Sequence, residues 1–240
     1  MEPKRLTDLR ISEIKAIVVE KPLILIPIGT IEWHAGHLPL GVDTLIMESV
    51  CEDISRGTGV VVAPTLACGI SRNLQPEEGY FGTVDTVAES TLSNLIAELL
   101  RGYAKMGFKK AILMSGHFEN EHYAAIMAGI QQVTELQGYF MMPPDLCEEY
   151  IEDLGDVSLT WPYASDHAAE WETSMMLHYY PDLVDMDNAP ETVELPMPGI
   201  PEYIRKRYPR RASREYGQKL VDAIIPNGIQ KINEMIAGTS

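Results

Sequence analysis

Six consecutive apolar residues, Leu23–Ile28 (LILIPI), stop abruptly at Gly29-Thr30. The run is short for a buried helix and lacks the polar–apolar alternation of a half-exposed strand, so it fits a strand covered on both faces. Such strands belong to parallel sheets with helices packed on each side. Thr44–Ile54 then places Leu45, Ile46, Val50 and Ile54 at helical spacing, Gly57 and Gly59 punctuate it, and Val60–Ala63 reads as a second buried strand. Thr86 followed by Glu89 has the form of a capping box. It would open a helix with Leu92, Leu95, Ile96, Leu99 and Leu100 on one side, ending at Gly107. Ala111–Met114 is a third strand, His122–Leu136 a helix, Tyr139–Met142 strand-like, and Ala168–Tyr180 a helix stopped near Pro181. Alternating strands and helices predict an α/β fold with a mainly parallel sheet. No repeat or composition break divides the 240 residues, so a single domain over 1–240 is expected.

Composition narrows the partners. A formal charge of −16 argues against nucleic acid and anionic membrane surfaces. No apolar run approaches the roughly 18 residues of a transmembrane helix. Cys51, Cys68 and Cys147 form no CxxC pair and fit a reducing compartment, so a cytoplasmic protein is expected. Met142–Ser165 looks like loops with a short helix. Pro190–Pro201, with prolines at 190, 196, 198 and 201, reads as an extended surface excursion. The basic RKRYPRR stretch, Arg205–Arg211, is most simply a solvated face; a subunit contact or a substrate gate is the sharper reading.

The chemistry-bearing residues follow the strands. Directly after the first strand, GTIEWHAGHLPLGVDT offers Glu32, His34 and Asp43 in a loop. After the third, SGHFENEH offers His117 and Glu119. Parallel α/β sheets gather ligands at the carboxyl ends of strands, so the two loops are expected to face one another. Imidazole and carboxylate donors together suit Zn, Mn or Fe. A carboxylate such as Asp43 can bridge two ions, and ions about 3.5–4 Å apart share a hydroxide nucleophilic near neutral pH. A lone His beside a Glu is usually a solvated pair; two such clusters at two strand ends are what give the pattern weight.

The segment EWHAGHLPLGVD resembles the E-x-H-G-x-H-L-P-L-x-x-D signature of the creatininase (creatinine amidohydrolase) family. SGHFEN resembles that family's N-G-H-x-x-N block, DHAAEWETSMML its H-A-x-x-x-E-T-S-x-M block, and PEEGYFGTVD a modified F-P-G-T loop. The resemblance implies a three-layer α/β/α sandwich, often assembled as a homo-hexamer, that binds two divalent ions and a small-molecule substrate. It implies that Glu32 and His117 hold one ion, His34 and Glu119 the other, with Asp43 between them. His167 would be the acid/base group near the leaving nitrogen, Glu119 a second catalytic candidate, and Glu172 a supporting or pocket residue. Trp33, Tyr80 and Tyr163 would line the substrate site. Trp33 stands where Gln is usual, Ala35 where Gly is usual, Ser115 where Asn is common, and Tyr163 where creatininase has tryptophan. With the rewritten Gln75–Tyr80 loop, these departures weigh against creatinine itself. The expected activity is hydrolysis of a small cyclic amide or related carbonyl compound. The alternatives are ring-opening C–C hydrolysis of an inositol-derived cyclic diketone, and a non-catalytic metal- or ligand-binding protein. His37 is expected to be structural, His122 and His178 ordinary helical residues, and Trp161, Trp171, Met175 and Met176 mainly packing residues.

Overall fold

The computed structural model describes residues 1–84, 87–146, 166–194 and 206–238. Thr86, Cys147, Trp161, Tyr163 and the 195–205 part of the proline-rich excursion and basic stretch lie outside the described residues. The main sheet comprises β1 (Lys4–Arg5), β2 (Leu23–Gly29), β3 (Val61–Val62), β4 (Leu66–Ala67), β5 (Lys110–Ser115) and β6 (Gln137–Met141). Its order is β1-β3-β2-β5-β6, with β4 continuing the β3 edge along the end of β2. All five of its strand pairings are parallel. The helices are α1 (Ile11–Glu20), α2 (Val42–Thr58), α3 (Glu89–Met106), α4 (Asn120–Gln131), α5 (Glu170–Tyr179) and α6 (Arg214–Ala237).

The run that opens the sequence is the centre of this sheet. Every residue of β2 is buried, and its side chains divide by the period of two that a strand imposes. Leu23 and Leu25 enter one core with Ile46 and Val50 of α2, Met175 of α5 and Ile224 of α6. Ile24, Ile26 and Ile28 enter another with Ile14 of α1, Leu92 and Ile96 of α3 and Ile126 of α4. Two cores on opposite faces of one sheet make the three-layer sandwich. Pro27 is tolerated in this central strand because of the neighbouring break. The Leu25 carbonyl accepts from Ala63 N–H on the β3 side, so Pro27, two residues on, faces the same way, into the gap between β3 and β4.

Three boundaries differ from the sequence reading. The second helix begins at Val42 with Gly41 as its N-cap, so Asp43 stands in the first helical turn rather than in the loop. The third begins at Glu89 behind Ala88, which supplies no side-chain cap; Glu89 is its first residue, not the third position that a capping box from Thr86 needs. The fourth starts at Asn120 with Glu119 as its N-cap and ends at Gln131, which puts His122, buried, in an otherwise exposed first turn. The described basic residues bind their own chain. Lys206–Arg207 pairs antiparallel with Val193–Glu194, Arg210 donates to the Ala189 carbonyl at 2.9 Å, and the Arg211 guanidinium lies 4.4 Å from the Tyr208 ring centroid.

The ends of β2 and β5 carry two glycines that seat α2. Gly29 packs against the Thr44 backbone and Gly116, just past β5, against that of Asp43. A methyl group at Gly116 would lie 2.5 Å from the Asp43 carbonyl oxygen and 2.9 Å from its Cα. Gly116→Ala is therefore expected to push Asp43 away from the sheet end, at the roughly 1–3 kcal/mol typical of overpacking. Denaturant midpoints of the two proteins measure this, and an unchanged midpoint would contradict the seating.

Candidate metal centre

Glu32, His34 and Asp43 come together because the loop after β2 closes on itself: Glu32 N–H donates to the Leu40 carbonyl at 3.0 Å just before α2 begins. Asp43 then sits at the amino end of a 17-residue helix, where the helix dipole favours a carboxylate. Thr30, at the end of β2, donates its hydroxyl to Asp43 Oδ2. Ala35 lies in this loop with φ 59°, the left-handed region where the family pattern has glycine. An alanine held there costs about 1 kcal/mol.

Across the sheet end, His117 brings Nδ1 to 3.1 Å from Glu32 Oε1 and 3.5 Å from Asp43 Oδ2. On the other side of Asp43, His34 Nε2 lies 3.4 Å from Oδ1 and 3.6 Å from Glu172 Oε2. Among the described residues, three sets of donor atoms lie within 4.8 Å of one another: Glu32, Asp43 and His117; His34, Asp43 and Glu172; and Glu32, His34 and His167. Asp43 is common to the first two, one carboxylate oxygen facing each histidine. Two members differ from the pairing expected of the sequence. Glu172 takes the place beside His34. Glu119 is turned away: its carboxylate accepts from Arg72 N–H at 2.8 Å and Asn73 N–H at 3.3 Å, which satisfies it in the neighbouring turn.

The histidines are prepared as ligands. His34 donates Nδ1–H to the Glu32 carbonyl at 3.1 Å, His117 donates Nε2–H to the Ile70 carbonyl at 2.9 Å, and His167 donates Nε2–H to the Trp33 carbonyl at 2.6 Å. A backbone carbonyl can only accept, so each bond fixes which ring nitrogen is turned to the carboxylates, the one that can serve a metal once it has given up any proton. His34 Nε2 and Glu32 Oε2 are buried without a hydrogen-bond partner. Buried polar atoms of that kind are costly unless a cation engages them. Nitrogen and carboxylate donors on both sides of one shared carboxylate fit divalent metal.

Glu172 is held by its own helix start. Asp166 Oδ2 accepts from Trp171 N–H at 2.5 Å and Glu172 N–H at 3.0 Å, while Ala168 N–H donates to Glu172 Oε2 at 2.6 Å. Ala168, like Ala35, is left-handed, with φ 51°. His37 is buried behind the loop and bonds Thr173 Oγ1 of α5 at 2.9 Å, the structural role expected of it. On the outer side, the Trp33 ring stacks on His167 with centroids 6.0 Å apart and meets Tyr80 edge-on at 5.0 Å. His122, read from sequence as ordinary, is fully buried against His117. The Ile70 and Trp33 carbonyls have no sequence signal at all, whereas Asp166 could have been found as an Asp shortly before an acidic helix start.

Without cations the cluster draws protons. Burial pushes the His34 imidazole down, but Asp43, Glu172 and Glu32 prevail and raise it to about 9. Burial likewise opposes the charge on His117, yet Glu32 and Asp43 hold it well above the usual histidine range. Burial opposes ionisation of Glu32, and the His117 charge overrides it, leaving the carboxyl at about 2. Glu172 is raised well above the carboxylate range, chiefly by burial. His167 falls to about 4 through burial and the neighbouring His34 charge.

Comparison with known proteins adds a second line. The sequence model of a family described as "Creatininase: Creatinine amidohydrolase" matches residues 7–232. A creatinine amidohydrolase of Pseudomonas putida is 26% identical over 236 residues, covering 88% of this chain and 89% of that protein. A mycofactocin precursor peptide peptidase of Mycolicibacterium smegmatis is 32% identical over 173 residues, 69% of this chain and 61% of the relative. A solved manganese form of creatininase superposes with a TM-score of 0.83 at 22% identity, over 98% of this chain and 99% of that one, and shares the fold.

Metal must displace the protons held by His34, by His117 and by the raised Glu172 carboxyl, so loading at pH 7 is expected to release protons. Affinity should therefore rise with pH through the range in which His34, at about 9, gives up its proton, and fall as the solution is acidified. Calorimetric titration of metal-stripped protein in buffers of different ionisation enthalpy measures this. Metal uptake without proton release would contradict the protonation assigned here.

Proposed function

The chain belongs to the creatininase family of metal-dependent hydrolases, and we propose that it cleaves the C–N bond of a compact amide with two divalent ions, between which Asp43 would be the shared ligand. The observation that carries this reading is the shared Asp43 carboxylate, with Oδ2 3.5 Å from His117 Nδ1 and Oδ1 3.4 Å from His34 Nε2. Glu32 and His117 would hold one ion, and His34 and Glu172 the other. Glu119 would shape the Arg72–Asn73 turn rather than bind an ion. Zn, Mn or Fe all suit such a donor set. Bound there, two such ions would provide a nucleophile active near neutral pH and a Lewis acid for the scissile carbonyl.

The remaining work falls to the chain's own groups. His167 has Nε2–H committed to the Trp33 carbonyl, so Nδ1 is the atom free to take up a proton and return it to the departing nitrogen. Nδ1 lies 3.5 Å from Glu32 Oε1, which places any proton moved there beside the first ion's ligands. The Trp33 and Tyr80 rings form a half-buried wall next to His167, suited to a flat substrate face and to keeping water from it. Two relatives bear the names amidohydrolase and peptidase, both denoting amide cleavage, which makes a C–N bond the leading reading; a third, 28% identical over 177 residues, is named a 3-dehydro-scyllo-inosose hydrolase, which keeps ring opening of an inositol-derived ketone as the alternative. Trp33 and Ala35 depart from the family pattern beside the ligands, so the reading stops short of creatinine. A homo-oligomer is the assembly proposed from the family resemblance, and the cytoplasm the location proposed from the cysteine usage.

His167→Gln tests the assignment on a panel of small cyclic and linear amides assayed with added Zn or Mn. The variant is expected to fold and keep its metal while losing roughly 10²–10⁴-fold in rate. Its deficit should shrink on a substrate whose leaving group needs no proton. Loss of an ion would make His167 a ligand instead, and full activity would remove it from catalysis.

A further inference from the structure

His122 sits in the first turn of α4, fully buried, five residues beyond His117. Its ring meets that of His117 edge-on with centroids 5.0 Å apart. Its two nitrogens engage the two segments that hold His117. Nδ1 receives the N–H of Ile70 at 3.3 Å, and Nε2 lies 3.2 Å from Ser115 Oγ. The Ile70 carbonyl in turn accepts Nε2–H of His117 at 2.9 Å. Ser115 Oγ receives His117 N–H at 3.2 Å and donates to the His117 carbonyl at 2.8 Å.

The direction of every bond is fixed. An amide N–H can only donate, so His122 Nδ1 is bare and Nε2 carries the proton, which goes to Ser115 Oγ. Ser115 thus accepts twice and gives its one proton to the His117 carbonyl, leaving no donor idle. Gly69 makes the circuit possible, because a methyl group there would lie 2.8 Å from the His122 ring. Backbone and imidazole of one ligand are therefore tied to the same side chain by two routes.

We propose that His122 is a positioning residue for the metal centre: through Ser115 it fixes the backbone of His117, and through Ile70 it fixes the imidazole, so that Nδ1 faces Glu32 and Asp43. This rests on the two-ion reading above, and it adds that the ion held by His117 depends on a residue touching neither metal nor substrate. No equivalent circuit among the described residues supports His34, whose Nδ1–H goes to a carbonyl of its own loop. The dependence should therefore be confined to one ion.

The test is a Co(II) titration of metal-stripped protein, following the visible bands of each ion, with His117→Ala and His34→Ala identifying which band belongs to which. In His122→Leu the ion assigned to His117 is expected to weaken by about 10–100-fold, the range for lost outer-shell partners. The ion assigned to His34 should stay within a few-fold. His122→Gln should recover most of the loss, its amide oxygen taking Ile70 N–H and its amide nitrogen reaching Ser115. If His122→Leu does not fold, Ser115→Ala carries the same test, since it removes one hydroxyl and should weaken the same ion. Equal affinities in variant and wild type, or equal weakening of both ions without rescue by glutamine, would overturn the proposal. A wild-type chain that takes up one ion would overturn the two-ion reading and this proposal with it.

Discussion

Buried carboxylates at the end of a parallel sheet set the terms for the rest of this molecule. Buried Glu32 and Asp43 and the partly buried Glu172 gather around two histidines, in surroundings where unpaired negative charge is prohibitively costly. The cluster is tolerable only with positive charge among its members, whether protons on His34 and His117 or divalent cations. Much of the local structure serves this arrangement. Gly29 and Gly116 let α2 press Asp43 onto the sheet end, Thr30 donates to its carboxylate, and three backbone carbonyls set the histidine tautomers. Left-handed Ala35 and Ala168 stand next to His34 and His167, a small strain at the two loops that deliver them.

The division between scaffold and site follows from where each residue type sits. Strand β2 is apolar on both faces and contributes only packing; its last residue, Gly29, and the Thr30 that follows it begin the site. Helix α5 does both tasks, with Met175 and Met176 in the core and Glu172 in its acidic first turn facing His34. Asp166 joins them by capping Trp171 and Glu172. Burial raises its carboxyl to about 7, against the pull of those two N–H groups.

Sequence reading reached the sheet, and the clustering of Glu32, His34, Asp43 and His117 at its end, for physical reasons. An all-apolar six-residue run has few alternatives to a doubly covered strand, and strand ends in parallel sheets are where ligands collect. The site's inner wiring was out of reach. Which carboxylate joins His34 depends on how α5 docks, and nothing local distinguishes Glu172, which faces His34, from Glu119, which the Arg72–Asn73 turn captures. The LPLGVD stretch hides the start of α2 behind a proline and a glycine, so Asp43 reads as loop when it is helix. His122 looks like any helical histidine until the fold brings Ile70 and Ser115 to its two nitrogens.

The central claim is that Asp43 stands between two ions, and anomalous diffraction from crystals soaked in Mn(II) addresses it directly. Two peaks about 3.5–4 Å apart are expected on either side of the Asp43 carboxylate, one within bonding distance of His117 Nδ1 and the other of His34 Nε2. A single peak at saturating Mn(II), or two peaks that Asp43 does not bridge, would contradict the account.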